Sequence, residues 1–284
     1  MNIREALHQG SRLLAAEAAS DEAELEAELL LRHALGVDRV HLFQRLNETL
    51  TPARERRYRR LLDRRLAHEP TPYITGHKEF FGLDFEVTPA AIIPRPETET
   101  LVELAIAFIE TRETGRETQI VDVGVGCGAI AVSIAHELPN ARVIAIDVSK
   151  LALRLAGRNA ARHGVAGRIT FLHGDLLAPL DVRAGVITAN LPYVRTADWL
   201  AEPPEIRERE PRRGLDGGPD GLRLIRRLLR QSPAHLAPGG ALFIEIGDEQ
   251  GAAAAAAARA AFPRAKIEVR PDLAGFDRVL VVYT

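Results

Sequence analysis

The stretch Gln119–Gly128, QIVDVGVGCG, is an apolar strand-like run that opens into glycines at positions 124, 126 and 128. Gln119–Val123 reads as a buried strand. The glycines then permit a tight turn and a close backbone approach to a ligand, and the helix expected over Gly128–Leu138 presents free N–H groups at its start. Asp147 ends the next apolar strand, Arg142–Asp147, about 20 residues on, where a carboxylate can accept from two ribose hydroxyls. Together these residues describe a nucleoside pocket. The glycines alone discriminate little, because Gly124-x-Gly126-x-x-Ala129 also fits the dinucleotide fingerprint, so NAD competes as a ligand at this point.

Downstream, strand and helix patterns alternate: a helix over Lys150–His163, a strand over Arg168–His173, a strand at Val186, a helix through Leu222–Leu229 and the strand ALFIEI at 241–246. An alanine-rich helix to Ala261 and two last strands, KIEVR and DRVLVVYT, complete the chain. Such alternation predicts an α/β fold with a mostly parallel sheet and helices on both faces. Only the six residues Pro271–Phe276 join the last two strands. A parallel crossover takes about a dozen or more, so that pair is expected to be antiparallel. Asp175, in HGDLL, is a polar group suited to an adenine amine, or an Asp at a turn.

The run ITANLPYV, Ile187–Val194, places Asn190 where a buried strand must stop, since Pro192 has no N–H for a ladder. The Asn190 side-chain carbonyl and the Leu191 backbone carbonyl could together receive the two N–H bonds of a planar NH2 group, with Tyr193 covering its face. Holding both hydrogens aims the nitrogen lone pair at an electrophile. Asn and Pro are also ordinary turn formers, so these four residues leave both readings open.

Towards the N-terminus, Ile3, Leu7, Leu14 and Ala18 form one helical stripe; a second helix is expected from Ser20 as N-cap to Gly36, and a third from Pro52 behind Thr51, carrying Tyr58, Leu61, Leu62 and Leu66. Between Met1 and Thr75, 12 arginines balance 12 acidic residues, segregated into DEAELEAE and ARERRYRRLLDRR. Those runs are either solvated helix faces or a docking surface for a macromolecule. From Thr71 the composition turns to Pro, Gly and aromatics, which predicts a hairpin linker ahead of a helix over Glu97–Ile109.

The formal charge of −2 creates no global attraction to nucleic acid or membrane. The single cysteine rules out an internal disulfide, and the nine histidines lack ligand spacing. The N-terminus breaks its apolar residues with Arg4, Glu5 and Arg12, unlike a signal peptide, and no apolar run is long enough for a membrane span. A cytoplasmic protein is expected.

DVGVGCG, Asp147, Asp175 and NLPY resemble class I S-adenosylmethionine-dependent methyltransferases that modify planar nitrogens. FFGLDFEV, IPRPETE and the helical N-terminal module are similar to the narrower family of release-factor glutamine N5-methyltransferases. The resemblance implies a mostly parallel, seven-stranded Rossmann-like methyltransferase sheet with an antiparallel last strand. It places a helical substrate-docking domain at 1–70, a β-hairpin linker at 71–96 and the methyltransferase domain at 97–284. S-adenosylmethionine would be held by Gly124, Val125, Gly126, Cys127, Gly128, Asp147, Asp175, Leu176 and Asn190. Catalysis would fall to Asn190, Leu191, Pro192 and Tyr193, with Arg95 and Glu97 adding substrate contacts and no metal taking part. The implied substrate is the glutamine amide in the Gly-Gly-Gln motif of a peptide chain release factor, whose methylation modulates translation termination. A monomer is expected, without a membrane or a stable nucleic-acid complex.

Two departures from the family stand out. Leu191 replaces its usual proline, giving a form more familiar from rRNA adenine dimethyltransferases. Val125 and Cys127 stand where small hydroxyl residues are common, with Cys127 read as a small filler. The principal alternative is an N-methyltransferase for an exocyclic amine of rRNA or DNA, whose phosphates the basic run at 54–65 could meet. A non-catalytic nucleotide-binding adaptor leaves the Asn190 tip unexplained. An NAD enzyme lacks accompanying hydride-chemistry residues.

Overall fold

A computed structural model of the chain describes residues 1–18, 20–111 and 118–284. It divides into two units, Met1–His77 with Pro203–Arg209, and Lys78–Glu202 with Glu210–Thr284.

The first unit is helical. Asn2 caps the helix Ile3–Glu17 in a reciprocal pair with Glu5, each side chain accepting from the other's N–H at 2.8 Å. Its buried face is Ile3, Ala6, Gly10 and Leu14, with Leu7 at the edge. Ser20 does not cap the second helix, Ala23–Leu35. Its hydroxyl oxygen accepts from the Glu22 N–H at 3.2 Å and closes a turn upstream of the helix, leaving Glu22 at the cap position. Gly36 ends that helix with φ 68°, and Thr51 caps the helix Pro52–Leu66, both as the sequence predicts. Short helices at Arg39–Gln44 and Thr71–Thr75 escape sequence reading because six and five residues are too few to show a 3.6-residue repeat.

Inside this unit the helix Pro52–Leu66 buries Tyr58, Leu61, Leu62 and also Arg65. A buried guanidinium must be paired, and Arg65 donates to Glu26 at 2.8 Å and to Glu205 of the returning segment at 3.2 Å. Arg54, Arg56, Arg57 and Arg60 stay exposed on the same helix.

Strands β1 (His77–Phe80), which begins at the last residue of the first unit's opening segment, and β2 (Leu83–Glu86), in the second unit, form a hairpin whose turn residues Phe81 and Gly82 both have positive φ, 52° and 72°. A helix Glu99–Glu110 follows a single 3-10 turn at Pro96–Thr98. The main sheet is built from β3 (Thr118–Val123), β4 (Ala141–Asp147), β5 (Ile169–His173) and β6 (Ala184–Ala189). A short pair, β7 (Val194–Arg195) and β8 (Asp216–Gly218), lies apart from it, and β9 (Leu236–Glu245), β10 (Lys266–Pro271) and β11 (Asp277–Tyr283) complete it.

The order across the seven strands is β10-β11-β9-β6-β3-β4-β5. Strands β3 to β6 and β9 pair in parallel, while β11 is antiparallel to both its neighbours, so the six-residue connection closes an antiparallel hairpin as expected. The chain moves from β3 outward through β4 and β5, then returns to place β6 on the other side of β3. That reversal creates a crevice at the carboxyl ends of β3 and β6, the usual place for a ligand on an open parallel sheet. Register fixes what meets there: Val123 is paired with Ile146 and with Ala189, and Ala189 with Ile244. Gly124, Asp147, Asn190 and Glu245 therefore emerge side by side.

Candidate active site

The loop after β3 is pinned by the N–H groups of Gly124 and Val125, which donate to the Ile146 carbonyl at 2.8 and 3.1 Å. Gly124 has φ 81°, and a Cβ there would stand 3.1 Å from both the Asn190 carbonyl oxygen and the Leu191 side chain, so a side chain at this position would be strained in its backbone and would crowd the tip after β6. The Asp147 carboxylate accepts from the Gly126 N–H at 3.0 Å and the Ser149 N–H at 2.7 Å. Burial raises its pKa, and these two bonds oppose the shift. The Cys127 thiol is pushed up to about 12 by burial, so at neutral pH it is an inert space-filler.

A cleft with about 710 Å³ of empty space, including its open mouth, is lined by Ala91, Gly126, Asp147, Leu176, Asn190 and Arg213 among others. Val125, Cys127 and Gly128 shape the loop from behind. Asp175 also lines the cleft, but its carboxylate is paired with Arg227 at 2.6 Å. Leu176 beside it is buried with φ 53°, a left-handed conformation that costs a non-glycine residue about 1 to 3 kcal/mol.

At the tip, Leu191 and Pro192 are buried. The Asn190 amide nitrogen donates to the Thr98 hydroxyl at 3.1 Å and to Glu245 Oε2 at 2.9 Å; the Tyr193 hydroxyl donates to Glu245 Oε1 at 3.1 Å. A carboxylate only accepts, so the Asn190 atom facing Glu245 is the nitrogen, and its Oδ1 is left without a partner from this pair. Glu245 is fully buried at the end of β9 and its pKa is pushed up to about 7, chiefly by desolvation, against the bonds from Thr98 and Tyr193. The phenol of Tyr193 is itself raised, first by burial and then by the Glu245 charge.

Sequence reading missed Thr98, Glu245, Gln250 and the glycines of Asp216–Gly221. A lone carboxylate in the apolar run ALFIEI and the repeated glycines of DGGPDG were the available signals. Gln250 donates to the Tyr193 carbonyl at 2.8 Å, holding the main chain of the tip from behind. Arg95 is engaged with Glu210, which also accepts from the Ile93 N–H at 3.0 Å, and Glu97 is exposed at the 3-10 turn; it is their neighbour Thr98 that reaches Asn190.

No group of His, Cys, Asp and Glu among the described residues could hold a metal ion, and no helix among them is long and apolar enough to cross a membrane. The seven-stranded sheet with its antiparallel outer strand, glycine loop and cleft at the chain reversal define a Rossmann-like methyltransferase domain. In fold the chain is similar to a crystal structure of a methyltransferase from Pyrococcus furiosus, with a TM-score of 0.52 and 18% identity, covering 72% of this chain and 89% of that one. Family models match at residues 5–76, the PrmC N-terminal domain, and at residues 103–201, the methyltransferase small domain. A release factor glutamine methyltransferase of Moorella thermoacetica is 46% identical over 284 residues, 100% of this chain and 99% of that protein. One of Geobacter sulfurreducens is 46% identical over 233 residues, 82% and 80% of the two chains. The chain belongs to the release factor glutamine methyltransferase family, and is an enzyme of the methyltransferase class.

Proposed function

We propose that the enzyme transfers a methyl group from S-adenosylmethionine to the side-chain amide nitrogen of the glutamine in the Gly-Gly-Gln motif of a bacterial peptide chain release factor, in the cytoplasm, and so modulates translation termination. The observation that carries this reading is the Asn190 amide. Both its N–H bonds are committed to Thr98 and Glu245. Its oxygen is thus the atom left to accept from a planar NH2 group at the mouth of the cleft.

The cradle fits the methyl donor. Gly126 lines the cleft, and a Cβ there would come to 3.8 Å from the Ala91 side chain, so the bare backbone leaves that wall of the cleft free for a ligand, and the Asp147 carboxylate, also lining the cleft, would accept from the ribose. Gly124 to Gly128 and Asp147 would hold the nucleoside, with Asp175 and Leu176 at the base. When bound, S-adenosylmethionine supplies an electrophilic methyl carbon and a neutral thioether leaving group. Asn190 Oδ1 and the Leu191 carbonyl would orient the substrate nitrogen toward that carbon, Tyr193 would cover the amide plane, and Arg95 and Glu97 would meet the substrate's flanks. The nitrogen becomes acidic as its new bond forms, and its proton passes to solvent.

Residues 1–70, with the exposed arginines between Arg54 and Arg60, would dock the intact protein substrate, while 71–96 link them to the methyltransferase domain at 97–284. The test is incubation of the full chain with isotope-labelled S-adenosylmethionine and either full-length release factor or rRNA, followed by mass analysis. Label on the glutamine of the release factor is expected. Label on rRNA alone overturns the reading in favour of a base N-methyltransferase.

A further inference from the structure

We propose that Glu245 and Thr98 are positioning residues for methyl transfer: by taking both N–H bonds of the Asn190 amide they fix its oxygen as the acceptor presented to the cleft, and Glu245 does so as a carboxylate. This rests on the reading in which Asn190 holds the substrate amide.

A free Asn amide has two orientations differing by a half-turn, one offering an acceptor and the other two donors. Only the first suits a substrate NH2. Two contacts select it here, Thr98 Oγ1 at 3.1 Å and Glu245 Oε2 at 2.9 Å, and neither Glu245 nor Thr98 lines the cleft. The second oxygen of Glu245 receives the Tyr193 hydroxyl at 3.1 Å. One buried carboxylate therefore sets two of the four residues of the tip, from a strand whose register places it beside them.

Burying a lone carboxylate in an apolar strand is costly, so stability alone does not explain Glu245. Its ionised form has four lone-pair sites and accepts from every neighbour. Its protonated form carries a hydrogen that must be donated, and then Asn190 or Tyr193 loses its acceptor. The other ionisable groups acting on it are Glu97 from the 3-10 turn, which favours the protonated form, and Arg278 from β11, which favours the ionised one. Arg278 is itself paired with Asp272 at 3.1 Å. Burial pushes the Glu245 pKa up to about 7. The sign follows: turnover is highest with Glu245 ionised and falls as pH drops through that region.

The experiment uses the full chain with S-adenosylmethionine and full-length release factor. Glu245→Leu removes the acceptor and the buried charge together. It should leave cofactor affinity at the parent value and lower kcat roughly 100-fold, as expected for loss of a preorganised partner. A purely structural residue would not separate those quantities in that direction. Glu245→Gln copies the protonated form, accepting from Asn190 with its oxygen while its amide nitrogen donates to the Tyr193 oxygen, so it should show at every pH the reduced kcat that the parent reaches in acid, within about tenfold of the parent's maximum, and lose the acid limb of the pH–rate profile. A parent-like kcat in Glu245→Leu, or an unchanged acid limb in Glu245→Gln, overturns the inference. Asn190→Ala separates the two levels: if it too keeps parent-like turnover, the amide-holding reading fails; if it alone loses turnover, only the positioning role fails.

Discussion

A Cβ placed on Gly221 would stand 2.0 Å from the carbonyl oxygen of Tyr193 and 2.2 Å from the Gln250 side-chain nitrogen that donates to it. Gly221 also has φ 75°, so an alanine is refused by both space and backbone conformation. Gly221→Ala must push the tip away from Gln250, carrying Asn190 with it. Cofactor affinity should change less than threefold while kcat falls tenfold or more, since a displacement of about 1 Å in a reacting group costs roughly that much or more. Calorimetry with S-adenosylmethionine and single-turnover methylation measure the two; equal losses in both would mean that Gly221 supports the whole domain rather than the tip.

Asp147 is the proposed ligand contact most open to a direct test. Its carboxylate already accepts from Gly126 and Ser149, and it faces the cleft. Asp147→Ala removes the proposed ribose acceptor and releases both N–H groups. Binding should weaken by about 1.5 to 3 kcal/mol, the range for charge-assisted hydrogen bonds. Parent-like calorimetric affinity would place the nucleoside elsewhere.

How legible the sequence was depends on whether an effect is local. The glycines at 124, 126 and 128, the end of the strand at Asp147 and the six-residue final connection each carry their meaning within a few residues, and the sheet they predict is the sheet observed. Ser20 misled because a hydroxyl able to cap a helix can equally close a turn just before one. Glu245 was invisible because its partners lie 52 and 55 residues away, and only the β6–β9 register brings them together. Likewise Pro203–Arg209 reads as part of the C-terminal stretch, yet Glu205 answers a buried arginine 140 residues earlier.

Asp122 provides a pH test independent of activity. It is fully buried on β3, its Oδ1 accepts from the Thr188 hydroxyl at 2.9 Å, and its Oδ2 has no hydrogen bond, the Ala131 N–H favouring the charge without completing one. Burial raises its pKa from 3.8 to about 7. The folded state therefore holds this proton to higher pH than the unfolded chain does. Stability from this group is full below the unfolded value and is lost as pH rises through 3.8 toward 7. Asp122→Asn keeps the shape and the Thr188 bond but removes the titration. Relative to the parent it should gain stability between pH 5 and pH 8, at up to about 1.4 kcal/mol per pH unit while the difference persists. Urea midpoints for both proteins at the two pH values suffice, and a pH-independent difference between them would mean that Asp122 titrates normally.

Asn159 joins the hairpin to the glycine loop through three hydrogen bonds. Its Oδ1 accepts from the Glu86 N–H at 2.8 Å, and its Nδ2 donates to the Glu86 carbonyl at 2.9 Å and the Cys127 carbonyl at 2.8 Å. The side chain thus satisfies the edge of β2 and clamps the loop that turns beneath the cleft. Asn159→Ala removes all three bonds, the buried one to the Cys127 carbonyl among them, at about 1 to 3 kcal/mol for each backbone group that neither water nor another partner then reaches. Asn159→Asp is the more diagnostic change, because it sets a carboxylate oxygen against two carbonyl oxygens. The folded state then favours the protonated acid, whose hydroxyl can donate to one of them, so the folded pKa rises above the unfolded value. Stability of this variant should be greatest in acid and fall as pH rises through the usual carboxylate range, ending below that of Asn159→Ala at pH 8. Both variants should bind S-adenosylmethionine more weakly than the parent, since the Cys127 carbonyl is the loop's tie to the hairpin. If Asn159→Asp unfolds at the same urea concentration as the parent at pH 8, the clamp contributes nothing and the loop is held by its own backbone bonds.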